Sequence, residues 1–133
     1  MQKSMQIDHI GYVVKNLEKA LVEFEKLGYE KCSSFFDDEK RKVRILFIKK
    51  NDYILELVEP KDESSDAYAY YKKLQNGPYH ICYKVDNIDE SIKNLVEEGY
   101  MIVKEKSLAI AFDNKNVCFL YKRSMGLIEL VEK

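Results

Sequence analysis

The hydrophobic positions of this chain follow one pattern that occurs twice. An apolar run over residues 7–14 is followed by apolar residues at helical spacing over 17–27, and then by extended apolar segments near 30–36, 43–48 and 53–59. Asn16 precedes the helical segment and Gly28 follows it, and these residue types are typical of a helix N-cap and of a helix end. The first half of the chain therefore predicts a strand, a helix and three strands.

The second half repeats this order of elements. An extended run over 79–85 is followed by a helical segment over 88–98, which lies between Asn87 and Gly99, and by strands near 101–104, 117–122 and 127–131. The apolar residues Ile92, Leu95 and Val96 are the predicted inner face of this helix. Residues 61–78 separate the halves and are mostly polar, with a short helix predicted over 67–74.

A sheet with a single helix cannot bury both of its faces, so the two halves are expected to fold together. We predict an α+β fold in which two tandem βαβββ modules form a curved, roughly eight-stranded mixed sheet around a cavity. The 133 residues suit a single domain over 1–133. Module one spans about 5–60, the connector about 61–78 and module two about 79–133.

Composition narrows the class of protein. A net charge of −1, with 46% hydrophobic and 34% charged residues, describes a soluble globular protein and gives no basis for binding nucleic acid or an anionic membrane. The N-terminus has no apolar signal core and no apolar run approaches membrane-spanning length, so a cytoplasmic location is expected. Cys32, Cys82 and Cys118 lack CxxC spacing and are predicted to be buried free thiols.

The repeat aligns four residues that can bind a metal ion. His9 and His80 are the only histidines and lie 71 positions apart, and Glu56 and Glu129 lie 73 positions apart inside apolar strands. An ionised carboxylate in such a strand is costly unless it is paired, hydrated or metal-bound. We therefore predict a two-His, two-Glu site for one divalent ion: Zn²⁺, Ni²⁺, Co²⁺, Mn²⁺ or Fe²⁺. The alternative is two hydrogen-bonded core histidines and two strand-edge glutamates.

Several segments carry a resemblance to the vicinal oxygen chelate superfamily, the glyoxalase, bleomycin resistance and dioxygenase type. Residues 8–20 look like its opening strand and helix, residues 56–60 and 80–88 resemble methylmalonyl-CoA epimerases, and residues 126–130 are similar to the terminal ligand strand of epimerases and lactoylglutathione lyases. This resemblance covers nearly the whole chain. By the resemblance, the four residues of the repeat fall on metal-ligand positions: His9, Glu56, His80 and Glu129.

What the resemblance implies is a metal-dependent lyase or isomerase. The ion would chelate the carbonyl of a small thioester or hemithioacetal substrate, and a carboxylate would move a proton on the adjacent carbon. Glu129 is the first candidate for this base and Glu56 the second. A homodimer is also expected from the resemblance.

Three segments depart from the epimerase pattern and leave specificity for coenzyme A open. Tyr79-His80 replaces paired histidines, residues 109–114 replace a glycine-rich stretch, and Tyr121-Lys122-Arg123 replaces His-Pro-Lys. Lys122 and Arg123 are either contacts for a phosphate or carboxylate or solvated turn cations.

Two other functions stay open. One is an iron dioxygenase, which would use two histidines and one carboxylate. The other is a metal-free small-molecule-binding protein of the antibiotic-sequestering type. Four aligned ligands disfavour both.

Overall fold

The computed structural model describes residues 5–133 and divides into two compact units. The N-terminal unit comprises residues 9–79, and the C-terminal unit comprises residues 5–8 and 80–133. Each contains the predicted order of strand, helix and further strands. The α+β class and the tandem βαβββ modules are thus confirmed, with nine strands among the described residues where about eight were expected.

The N-terminal unit is built on a mixed sheet. Its strands pair in the order β2-β4-β5-β1, with β1 and β5 parallel and β3 added antiparallel to β4. Its elements are β1 (Gln6–Val13), α1 (Leu17–Lys26), β2 (Glu30–Lys31), β3 (Phe36–Asp38), β4 (Val43–Lys50), β5 (Tyr53–Pro60) and α2 (Asp66–Leu74).

The single strand predicted over 30–36 is wrong, because β2 and β3 are separated by residues 32–35. In this gap the backbone N–H of Phe47 donates to the Ser33 hydroxyl over 3.0 Å, so a side chain replaces a ladder carbonyl. Competition of this kind between side chain and backbone is typical of serine. The chain therefore bends before it pairs with β4 again.

Helix α1 packs against one face of this sheet, and the opposite face carries the buried polar residue His9. Leu17 and Ala20 pack with buried residues of β4 and β5, including Leu46 and Leu57. Side chains alternate along a strand, so His9 lies on the face of β1 opposite to Ile10 and Tyr12, which pack against this core.

The C-terminal unit has the same plan. Its strands pair in the order β6-β9-β8-β7, and β6 and β9 are parallel. Its elements are β6 (Gly77–Val85, of which residues 80–85 belong to this unit), α3 (Ile88–Glu97), β7 (Met101–Ala109), a 3₁₀ turn (Ile110–Phe112), β8 (Lys115–Lys122) and β9 (Gly126–Glu132).

Two predictions for this unit need correction. Strand β7 continues five residues past its predicted end, because Ser107 to Ala109 pair with the start of β8. Residues 104–106 are all exposed, so the alternation of apolar and polar residues that predicts a strand is absent there. Val96 is 45% exposed and does not belong to the inner face of α3. The buried positions Ile88, Ser91 and Leu95 follow the helical spacing, and Val96 lies about 100° around the helix from Leu95.

None of the helices formed by residues 5–133 is long and apolar enough to cross a membrane.

Candidate metal centre

A buried imidazole and a buried carboxylate meet in the N-terminal unit. The Nε2 atom of His9 on β1 lies 3.3 Å from Oε1 of Glu56 on β5, and the two residues are 1% and 5% exposed. The parallel register places Gly11 directly beside Glu56. Gly11 lies on the same face of β1 as His9 and carries no side chain beside the carboxylate.

The C-terminal unit contains the equivalent pair. The Nε2 atom of His80 on β6 lies 3.0 Å from Oε1 of Glu129 on β9, and both residues are buried. Here the register partner of the glutamate is Cys82, which occupies the repeat position of Gly11. The two pairs thus arise from the same strand pairing, the parallel contact between the first and last strand of each module.

An aromatic ring supports each histidine from the side. Phe47 meets the His9 ring edge-on at a centroid distance of 5.5 Å, and Phe119 meets the His80 ring edge-on at 5.2 Å. Phe47 is the register partner of Glu56, and Phe119 is the register partner of Glu129. These phenylalanines were missed in the sequence, although they are also repeat mates, 72 positions apart.

The donor chemistry of the two pairs fits a transition metal. Two imidazoles and two carboxylates, all buried, each offer one nitrogen or oxygen ligand atom. Such a set suits Zn²⁺ and its neighbours, and an ion that takes five or six ligands keeps one or two positions for substrate oxygens beside the four protein ligands. The structure brings His9 to Glu56 and His80 to Glu129; their joint action on one ion stays a prediction.

The cysteines differ from their prediction in one case. Cys82 and Cys118 are buried, as expected, but Cys32 is exposed because it lies in the gap between β2 and β3. Burial, together with the charges of Glu105 and Glu129, raises the pKa of the Cys118 thiol to about 11. Cys118 therefore carries little thiolate near neutral pH.

Lys122 has a structural partner in its own unit. Its Nζ donates to the carbonyl of Glu98 at the end of α3 over 2.7 Å and lies 5.6 Å from the centroid of the Tyr100 ring. A cation at a helix C-terminus is stabilised by the last carbonyls. This contact favours a helix-capping role for Lys122.

Comparison with known proteins gives one family. The sequence profile of the glyoxalase/bleomycin resistance protein/dioxygenase superfamily matches residues 8–119. This range includes His9, Glu56 and His80, and ends before Glu129.

Similar proteins agree with that family. Methylmalonyl-CoA epimerase of Dictyostelium discoideum is 27% identical over 131 residues, which cover 96% of this chain and 78% of that protein. A hypothetical protein of Bacillus halodurans has a crystal structure with a TM-score of 0.86 and 28% identity, covering 98% of this chain and 95% of the other. A variant of Streptomyces coelicolor methylmalonyl-CoA epimerase, solved with 2-nitronate-propionyl-CoA, gives a TM-score of 0.81 at 26% identity and 96% coverage of both chains.

Proposed function

The chain belongs to the glyoxalase/bleomycin resistance protein/dioxygenase superfamily and is an enzyme, and we propose that it is a metal-dependent epimerase acting on a thioester of coenzyme A. Its named relatives and its fold support the epimerase class. The metal, the thioester substrate, the cytoplasmic location and a homodimeric state are parts of the proposal.

One observation carries this proposal: each repeat half holds a buried His–Glu pair built by the same parallel strand pairing. A buried carboxylate costs several kcal/mol of solvation unless a charge compensates it. An imidazole offers a compensating charge only when it is protonated, whereas a divalent cation carries two positive charges, one for each of the two carboxylates. We propose that His9, Glu56, His80 and Glu129 together hold one divalent ion.

The chemistry that such an ion supplies is stabilisation of negative charge on a substrate carbonyl oxygen, which lowers the pKa of the adjacent C–H group. The protein supplies the surroundings. The rings of Phe47 and Phe119 pack nearly perpendicular to the two imidazole rings and limit their rotation. The burial of all four side chains excludes water and strengthens the electrostatic interactions within the site.

An epimerase removes a proton from one face of a carbon and returns one to the other face. The C–H bond breaks, its electron pair moves into the carbonyl as an enolate, and the proton goes to a carboxylate. In the proposal Glu129 is the first base, and Glu56 is the second carboxylate that can serve the opposite face. For Glu129 to act both as ligand and as base, its carboxylate has to exchange one role for the other when substrate binds.

The substrate class is suggested by the relatives. The Dictyostelium protein is named for methylmalonyl-CoA, and the Streptomyces protein was solved with a CoA thioester bearing a nitronate beside its carbonyl. A nitronate has the planar, delocalised charge of an enolate. We therefore propose a 2-substituted acyl-CoA with an acidic C–H group beside the thioester carbonyl.

The test is solvent deuterium exchange at that carbon, followed by NMR with methylmalonyl-CoA. We expect exchange by the metal-loaded protein, loss of exchange after chelation and recovery when Co²⁺ or Zn²⁺ is restored. Glu129→Gln keeps the side-chain shape but removes the base, so its rate is expected to fall by about 10²–10⁴-fold.

Cys82→Ala is the matched control, since Cys82 is buried and is the register partner of Glu129. It is expected to retain metal and most of the exchange rate. Full activity of Glu129→Gln would exclude this residue as the base. Exchange that survives complete metal removal would contradict the metal-dependent proposal, and a protein that never takes up metal would favour the metal-free binding function.

A further inference from the structure

A groove runs beside helix α1 on the face of the N-terminal sheet away from the His9–Glu56 pair. It has a volume of about 610 Å³, which lies within the range of small-molecule sites. Tyr12 lines it from β1, Phe24 from α1, and Tyr71 and Asn76 from α2 and the segment that follows. His9 and Tyr12 point to opposite faces of β1, so this groove is separate from the candidate metal centre.

The groove is rich in hydrogen-bond donors. Lys15 and Lys19 line it, and neither side chain has an acidic partner among residues 5–133. Asn76 accepts a bond from the backbone N–H of Lys15 over 3.0 Å through Oδ1, which leaves its NH₂ group as a donor. One carboxylate, Glu23, also lines the groove; it lies 3.0 Å from Lys26, and both side chains are exposed. This excess of donors favours an anion.

Aromatic surface lies next to these donors. Tyr12 and Phe24 meet edge-to-face at a centroid distance of 5.1 Å, and both rings are only partly buried. Tyr71 lines the same groove from α2 and is also partly buried. Accessible aromatic surface beside lysines suits a ligand that combines a planar ring with negative charge, because rings stack on rings while the ammonium groups contact the charge.

The repeat shows that the fold does not require this charge. The positions of Lys15 and Lys19 correspond to Asp86 and Glu90 in the second half, 71 residues later, whereas Tyr12 corresponds to Tyr83. Asp86 pairs with Lys133 at 2.9 Å. The aromatic residue is thus common to both halves, whereas the two lysines occur only in the first half, beside α2.

From these observations we propose that the groove is a second binding site, which takes a nucleoside phosphate. The lysines and the Asn76 amide bind the phosphate, and the base packs on the aromatic surface. Two sources share this chemistry: a free nucleotide, and the adenosine phosphate end of a coenzyme A molecule. The site is independent of the proposed metal chemistry.

Calorimetric titration at low ionic strength tests this proposal. The probes are adenosine 3′,5′-bisphosphate, ADP, CoA, adenosine and inorganic phosphate. We expect the phosphorylated nucleotides to bind, and the Lys15→Glu/Lys19→Glu variant to bind them at least about tenfold more weakly, since two attractions become repulsions. If ADP binds as tightly as CoA, the ligand of the groove is a free nucleotide. If CoA and the bisphosphate bind more tightly than ADP, the ligand is the adenosine phosphate end of coenzyme A.

Lys31→Glu/Lys93→Glu is the matched control, because it makes the same change of net charge at exposed lysines outside the groove. This control is expected to bind the nucleotides as the unmodified protein does. His80→Ala is expected to do the same, which would show that binding in the groove does not depend on the metal centre. If the control variant loses as much nucleotide affinity as the groove variant, the effect comes from net charge alone and the proposal is wrong. No nucleotide binding at millimolar concentration, or binding no tighter than that of inorganic phosphate, would overturn the proposal.

Discussion

Glu56 and Glu129 are carboxylates in places where a leucine would pack at lower cost. They are 5% and 3% exposed, and each contacts an imidazole rather than a permanently charged cation. Replacement of buried ionic groups by apolar residues is often neutral or stabilising. Stability therefore gives no reason for two such pairs at equivalent positions, and this favours a chemical role.

The three cysteines provide a prediction about reactivity. The thiolate is the nucleophile in alkylation, so both burial and a raised pKa slow the reaction. At pH 8 iodoacetamide is expected to label Cys32 alone, slowly compared with a free thiol because partial burial raises the pKa of Cys32. Cys82 and Cys118 should react only after unfolding.

Mass spectrometry of tryptic peptides measures this labelling, with Cys32→Ser as the control that removes the native-state reaction. Labelling of Cys118 in the folded protein at the rate seen in urea would show that its strand opens readily.

At the level of elements, the two long helices begin in the same way. The Asn16 side chain accepts from the backbone N–H of Lys19 over 2.9 Å, and the Asn87 side chain accepts from Glu90 over 3.0 Å. Both caps were predicted from the sequence and are confirmed. Helix α1 has an additional acceptor, because the backbone N–H of Leu17 donates to Glu59 over 2.8 Å.

This difference predicts unequal effects of one substitution. Asn87→Ala is expected to lower the free energy of unfolding by about 1 kcal/mol, the usual cost of losing an N-cap. Asn16→Ala is expected to cost less, since Glu59 still satisfies one N–H of the first turn of α1.

Urea unfolding monitored by circular dichroism measures both variants. In the background Glu59→Ala, which removes the acceptor of the Leu17 N–H, the cost of Asn16→Ala should rise towards that of Asn87→Ala. An Asn16→Ala cost larger than that of Asn87→Ala would contradict this account of the two helix starts.

Across the whole chain, the repeat is preserved in the buried His–Glu pairs and the helix caps and is lost at other surface positions. The His, Glu and Phe of each pair correspond, and so do the two capping asparagines. Lys15 and Lys19 against Asp86 and Glu90 differ in charge, and helix α2 occurs once, between the modules. Such differences are expected where each half has acquired its own partners.

The proposed four-ligand ion makes a stoichiometric prediction. If both pairs serve one ion, the purified protein binds about one divalent ion per chain, and either His9→Ala or His80→Ala alone removes it, since losing one of four ligands weakens binding strongly. Two independent two-ligand sites would instead leave each variant with the ion of the other pair.

Elemental analysis of the untagged protein decides between these outcomes, with Cys82→Ala as the control that keeps all four ligands. One ion retained in both histidine variants would contradict a shared site.

The sequence alone determined the order of the main helices and strands and the candidate chemistry. The spacing of apolar residues predicted the strands and helices, Asn16 and Asn87 predicted the helix starts, and the repeat selected two histidines and two glutamates. Strand alternation, helical spacing and capping are local signals, because they depend on neighbours a few residues away. The repeat is visible without a structure because its mates share residue type at a nearly constant offset of 71–73 positions.

Only the tertiary structure decided which residues meet. The pairing of His9 with Glu56 and of His80 with Glu129 depends on the register of parallel strands that are distant in sequence. The same holds for the edge contacts of Phe47 and Phe119, for the Ser33 contact that divides the strand predicted over 30–36, and for the groove beside α1. The alternation within one strand determines which face each side chain takes, but the partner strand and the register also depend on how the whole sheet face packs.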